Sequence, residues 1–296
     1  MTNRREFLQF TGGAALASMI APSAADSVMA TRPIPGTDEH MAIVGLGNSR
    51  AFIEGDIETS TQLLDTFLAH GGTYVDVSGQ SRVTVGKIIR EHKAQDRTLL
   101  GNYLTADDYD GLRKEVAALQ EVQGDGPLDL SMMRGVSELS RRADEFRRLK
   151  DDDLVRHVGI GRPNKRFYPG MMQLMEDGVV DFVQVNYSMM EPEAADELLP
   201  MAVDKGVAVV INRPFINGDY FSLVRGRQLP DWAADFDCES WAQFSLKYIV
   251  SHPAVNCVIT ETANPKHVLD NLGAGFGALP DAATRVKMRD FFLNLT

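Results

Sequence analysis

From residue 41 onward, short apolar runs alternate with amphipathic stretches. The runs are Met41–Gly45, Thr73–Asp76, Arg97–Asn102, Leu128–Met133, Val155–Ile160, Phe182–Val185, Val207–Ile211 and Val255–Ile259. They are rich in Val, Ile and Leu, as expected of strands buried on both faces of a parallel sheet. The stretches between them carry apolar residues at helical spacing. Asp56 to His70 places Leu63, Leu64, Phe67 and Leu68 on one face, and Gly71-Gly72 ends it. Further helices are expected over 83–94, 107–120, 138–150, 168–176, 193–205, 239–251, 265–272 and 281–295, with Asp107-Asp108 capping the third. Eight strand–helix units predict an α/β fold, a (β/α)8 TIM-type barrel over residues 31–296. A doubly wound open sheet is the competitor. It calls for a glycine-rich phosphate loop after an early strand, and Gly45-Leu46-Gly47-Asn48 lacks the third glycine. The connection from Pro214 to Asp237 reads as a polar loop at the barrel mouth.

Composition narrows the function. The 296 residues carry a net charge of -11, which speaks against nucleic acid as a partner. Cys238 and Cys257 are too few for a disulfide framework, and two buried thiols are expected of them. No His/Asp spacing suits a metal, and no Ser-His-Asp elbow is present. Asp151-Asp152-Asp153 reads as a solvated charge run.

The first 30 residues have a different character. Asn3-Arg4-Arg5-Glu6-Phe7-Leu8 precedes a weakly apolar run from Phe10 to Ala21, then Pro22 and small residues to Ala30. A charged head, a short apolar middle and a small-residue exit make an export signal, and the paired arginines resemble the twin-arginine type. The expected partner is the twin-arginine export machinery and the expected location the periplasm, with cleavage after Ala25 or Ala30. The apolar middle is too short and too rich in Gly and Ala to span a bilayer.

In a barrel of this kind, chemistry gathers just past the C-terminal ends of the strands. Landmarks there resemble the aldo/keto reductase superfamily. Gly71-Gly72-Thr73-Tyr74-Val75-Asp76 is similar to its second strand, Val155-Arg156-His157-Val158-Gly159-Ile160 to its fifth and Phe182-Val183-Gln184-Val185-Asn186-Tyr187-Ser188 to its sixth. Asn212-Arg213-Pro214-Phe215, then Val258-Ile259 through Pro265-Lys266-His267 to Asp270-Asn271, resemble the seventh and eighth. The resemblance implies NADPH-dependent carbonyl reduction, with a tyrosine as proton donor, a lysine–aspartate pair lowering its pKa and a histidine orienting the substrate.

Only the aspartate of that set, Asp76, is in place. Ser81 stands at the tyrosine position, Tyr103 at the lysine position and Arg134 at the histidine position. Serine is a far weaker acid than phenol, and arginine stays protonated. Tyr103 near Asp76 is the candidate relocated donor. For NADP(H), the resemblance implies that Gln184, Asn186 and Tyr187 support nicotinamide, Asn212 and Phe215 lie along the seventh-strand loop, Thr262 and Lys266 stand near the 2'-phosphate, and Asp270 and Asn271 face adenine. Gly161-Arg162 replaces the hydroxyl-plus-polar pair that holds the carboxamide, and Glu261 adds charge unfavourable to a phosphate. Arg82, Arg134, Arg162 and Arg213 all map to the mouth, where guanidinium forks suit a small anionic ligand.

Two readings follow. One is an exported aldo/keto-reductase-fold protein that has lost the family's reductase chemistry and binds a small ligand or partner. The alternative is an NADP(H)-dependent oxidoreductase that reduces a carbonyl with a rebuilt site.

Overall fold

The computed structural model describes residues 28–133, 136–161 and 164–295. The expected export signal therefore lies almost wholly outside the described residues. Eight parallel strands form a closed barrel: β3 (Val44–Leu46), β4 (Tyr74–Val77), β5 (Leu99–Tyr103), β6 (Leu128–Met133), β7 (Val155–Gly161), β8 (Phe182–Asn186), β9 (Ala208–Asn212) and β10 (Cys257–Thr260). Each pairs with the next in chain order, and β10 closes the ring onto β3 through Val258 opposite Val44. This is the (β/α)8 barrel that the alternation of patterns predicts.

An outer layer of helices follows the strands. It comprises α1 (Arg50–Glu54), α2 (Ile57–Ala69), α3 (Ser81–Glu91), α4 (Tyr109–Gln123), α5 (Val136–Asp151), α6 (Tyr168–Glu176), α7 (Leu198–Asp204), α8 (Asp219–Leu223), α9 (Trp241–Val250), α10 (Pro265–Leu272) and α11 (Ala282–Leu293). Local chemistry sets their ends. Asp56 and Asp108 cap α2 and α4 by accepting the Thr59 and Gly111 N–H groups. Gly71 follows α2 at φ +82°, a left-handed conformation that costs glycine little.

Three expectations are corrected. The run 41–45 is two strands rather than one. β1 (Thr31–Pro33) and β2 (His40–Ala42) make an antiparallel hairpin, and only Val44 onward joins the barrel. The stretch 193–205 is a short 3-10 turn followed by α7, because Pro200 lies in the first turn of α7. The connection 214–237 contains α8 and two 3-10 turns. The charge run Asp151-Asp152-Asp153 is exposed as expected, and Asp152 also accepts a hydrogen bond from Tyr109 Oη and approaches Arg148.

The barrel interior is packed. Tyr74, Tyr103, Leu130, Met132, Phe182, Val210, Cys257 and Ile259 share one apolar cluster with Ile34 and Met41 of the hairpin, which close its floor. Two glycines make room for the bulky rings. A Cβ on Gly101 would lie 2.4 Å from Tyr74 Oη, and one on Gly161 would lie 2.4 Å from Tyr103 Oη. Cys257 lies inside the barrel, and Cys238 packs in the cluster outside it; both are free thiols. Burial pushes the Cys238 thiol up to about 12, so it is a poor nucleophile. Among the described residues, no helix is long and apolar enough to cross a membrane.

Candidate active site at the barrel mouth

Inward-facing positions at the strand ends fall into two groups. The first surrounds β4 and β5. Tyr103 reaches across the barrel from the end of β5, and its hydroxyl donates to Gln184 Oε1 on β8 at 3.0 Å. Asp76 is 5% exposed and lies 3.4 Å from the Tyr74 hydroxyl. Ser81 is fully buried at the start of α3. Its hydroxyl donates to Ser78 O and accepts from Ser78 N–H, both at 2.8 Å. The hydroxyl proton is thereby committed to the β4–α3 turn.

Arg82 is also committed. It donates to Tyr103 O at 3.0 Å, to Gly79 O at 3.3 Å and to Glu115 Oε1. Glu115 in turn accepts the Thr105 and Ala106 N–H groups at 2.9 and 3.0 Å. Burial acts to raise the Glu115 pKa, but Arg82 and these two N–H groups outweigh it and hold the carboxyl below its ordinary range. Arg82 therefore directs its charge to Glu115 and to the backbone that carries Tyr103.

The second group surrounds β8, β9 and β10. Asn186 and Asn212 sit opposite each other at adjacent strand ends. Asn186 Nδ2 donates to Glu191 at 2.9 Å, but its Oδ1 is buried without a hydrogen-bond partner among the described residues. Asn212 Oδ1 is in the same condition. So is Asn48 Oδ1 past β3, although Asn48 Nδ2 donates to Ser78 Oγ at 2.8 Å. Buried amide oxygens without donors are costly, which makes this rim a place for a molecule bringing N–H or O–H groups. Glu261 follows β10, and burial raises its pKa even though solvent still reaches it, with Arg213 pulling part of that back. Arg213 has φ +50° and donates to Asn217 at 3.2 Å.

The remaining candidates are dispersed. Tyr187 turns away from the mouth and is buried outside the barrel. It stacks on Tyr248 of α9 at 5.7 Å and meets the edge of His252 at 5.4 Å, so the structure does not bring it together with Gln184 and Asn186. Phe215 joins Tyr220 and Phe221 in an aromatic group around α8. Thr262 accepts from Asn264 N–H in the turn that starts α10, and Lys266 is exposed one turn on. Asp270 accepts from Gln243 of α9 at 3.0 Å, while Asn271 is buried in α10. Arg134 and Arg162 lie outside the described residues. No group of three or more His, Cys, Asp or Glu side chains among the described residues is arranged to hold a metal.

The profile of the aldo/keto reductase family matches residues 44–285. The chain belongs to this family. Solved structures of similar fold include an aldo/keto reductase from Klebsiella pneumoniae in complex with NADP and acetate, at TM-score 0.73 and 18% identity, covering 90% of this chain and 95% of that one. An aldo-keto reductase from Bacillus halodurans in its holo form gives TM-score 0.71 and 18% identity, covering 89% and 96%. A glycerol dehydrogenase from Gluconobacter oxydans gives 0.70 and 18%, covering 91% and 95%. At such identity the likeness is one of fold. No curated protein matches the chain by sequence.

In this member of the aldo/keto reductase family, two residues that shape the mouth carry no functional signal in the sequence. Asn48 was visible only as a position past a strand. Glu115 lies within a helical stretch, and nothing in its spacing along the chain reports that it meets Arg82.

Proposed function

We propose that this protein is an NADP(H)-dependent oxidoreductase acting on a carbonyl group, with the proton-donating side of its site rebuilt around Tyr103. One observation carries this reading: the buried, unpartnered Oδ1 atoms of Asn186 and Asn212, next to Gln184. A nicotinamide carboxamide brings an N–H2 that suits two such acceptors, and the Gln184 amide nitrogen is a donor suited to its oxygen. The nucleotide supplies a hydride for the carbonyl carbon. Tyr103 holds a hydroxyl proton at the mouth floor, positioned by Gln184 at one end and by the Arg82–Glu115 pair at its backbone. The NADP-bound Klebsiella neighbour supports the choice of nucleotide. The far end of the site fits less closely. Glu261 brings negative charge, leaving Lys266 as the nearby cation for a 2'-phosphate.

A second reading, a binding protein that has lost reductase chemistry, is favoured by Ser81. Its hydroxyl occupies the family's donor position and is consumed by the turn. Export to the periplasm remains our reading of the N-terminal segment alone. Of the two expected cleavage points, that after Ala25 is preferred. Met29 is buried against Gly275 and Ala30 N–H donates to Gly275 O, so cutting after Ala30 removes part of the packed fold.

Titration with NADPH and NADH, read by fluorescence and melting temperature, separates the two readings. The oxidoreductase reading expects saturable binding that Asn212→Leu weakens about tenfold, equivalent to about 1.4 kcal/mol. It also expects Tyr103→Phe to lower turnover of aldehydes while leaving nucleotide affinity near the parent value. Absence of nucleotide binding at millimolar concentration rejects it in favour of the second reading.

A further inference from the structure

A cavity of about 760 Å³ lies at the opposite end of the barrel from the mouth. Its walls are the β1–β2 hairpin, the turn preceding β5 and the loop between α4 and β6. Its volume falls within the range of small-molecule sites, and none of the mouth residues contributes to it.

The charge of the lining selects the ligand. Glu39, Asp96, Asp125 and Asp129 supply four carboxylates against the guanidiniums of Arg97 and Arg156. Arg156 is already shared between Asp129, at 2.9 Å, and Glu39. Among the described residues Asp96 and Asp125 have no ion-pair partner, and four carboxylates against two guanidiniums leave a negative excess that repels anions. His40 also lines the cavity and stays close to Thr31 at 3.4 Å. A second observation is independent of charge. Thr98 is 5% exposed and lines the cavity, and its Oγ1 has no hydrogen-bond partner among the described residues. A buried hydroxyl left unmatched costs stability, and an N–H donor reaching it recovers that cost. A metal ion is disfavoured, because no set of three ligating side chains converges there among the described residues. Chain length and organic bulk are needed to reach both Thr98 and the carboxylates at the rim.

We propose that this N-terminal face carries a second binding site, for a small organic cation of the alkyl-diamine or polyamine class. One ammonium donates to Thr98 Oγ1, and the other stands between Asp96 and Asp125. The site is separate from the nucleotide site, so its success or failure leaves the oxidoreductase reading untouched.

The test is isothermal titration of the full protein with putrescine and spermidine at physiological salt, with magnesium chloride and inorganic phosphate as comparison probes. Saturable diamine binding is expected. The double variant Asp96→Asn/Asp125→Asn is expected to weaken it at least tenfold, and Thr98→Val severalfold. Both changes lie away from the mouth, so NADPH affinity should match the parent and report intact folding. Absence of diamine binding at millimolar concentration overturns the proposal. So does equal response to magnesium, which marks general charge screening, or diamine binding that ignores all three substitutions.

Discussion

The two sides of the barrel mouth use similar residues in opposite ways. On the β4–β5 side, polar groups answer one another. Ser81 closes its own turn, Arg82 is taken by Glu115, and the Tyr103 hydroxyl is taken by Gln184. On the β8–β9 side, Asn186 and Asn212 reach the end of their strands with carbonyl oxygens that no group among the described residues satisfies. A fold that satisfies its polar groups in one sector and leaves them open in the next marks where a ligand is expected. Side chains that are committed on one side therefore do not by themselves argue that the other side lacks a ligand.

The largest effect expected from breaking this contrast comes from Glu115→Ala. Glu115 and Arg82 side chains are 14% and 18% exposed, and the change strands the guanidinium and two backbone N–H groups together. The expected loss is about 3 kcal/mol of folding stability, read as a lower urea midpoint with an unchanged slope. A loss below about 1 kcal/mol would place this pair among ordinary surface ion pairs.

Next comes the layer behind β8. His252 packs against Tyr187, and burial lowers its pKa to about 4 from 6.5, with Arg285 and Arg32 adding to the shift. The unfolded chain takes up this proton first as pH falls. Stability from the neutral ring is thus full above pH 6.5 and is lost progressively on the way down to about 4. Because the ring is only partly buried, the loss is set at about 2 kcal/mol rather than the full value of the shift. His252→Asn should flatten the stability profile over that window. An unchanged profile would mean that other groups carry the acid sensitivity.

Gly161→Ala sits on the seam between the two sides. The added methyl meets Tyr103 Oη at 2.4 Å and forces the phenol off Gln184. Overpacking of this kind costs about 1–2 kcal/mol. If Tyr103 belongs to the site, aldehyde turnover falls further than this stability loss explains. Turnover equal to the parent would remove Tyr103 from the chemistry.

Much of the fold was legible because it rests on local pattern. Apolar runs on consecutive positions named all eight barrel strands, and Asp56, Asp108 and Gly71 marked helix ends through their own backbone chemistry. The hairpin was less visible, since Ala42 and Val44 lie in one apolar run and only their partners, Thr31 and Val258, tell them apart. The site was half legible. Its strand-end positions followed from the barrel, and the Tyr103 position followed from the family resemblance. Which way Tyr187 turns, and that Arg82 meets Glu115 33 positions away, depends on packing between elements that no local spacing encodes.

The smallest effect expected belongs to Glu261, at the rim between the two sides. Burial raises its pKa above 4.5, with Arg213 offsetting part of the rise. The folded protein therefore binds this proton more readily than the unfolded chain. Its ionisation opposes folding at neutral pH; the opposition fades as pH falls through the raised folded-state value and is gone below 4.5. Glu261→Gln should then raise the melting temperature slightly at neutral pH and leave it unchanged in acid. The same change removes a negative charge from the rim where the 2'-phosphate is expected, so NADPH should gain affinity relative to NADH. Equal stabilisation at both pH values would trace the effect to packing instead of charge. An unchanged NADPH-to-NADH ratio would place the phosphate elsewhere, leaving the open amide oxygens of Asn186 and Asn212 as the part of the mouth that selects the ligand.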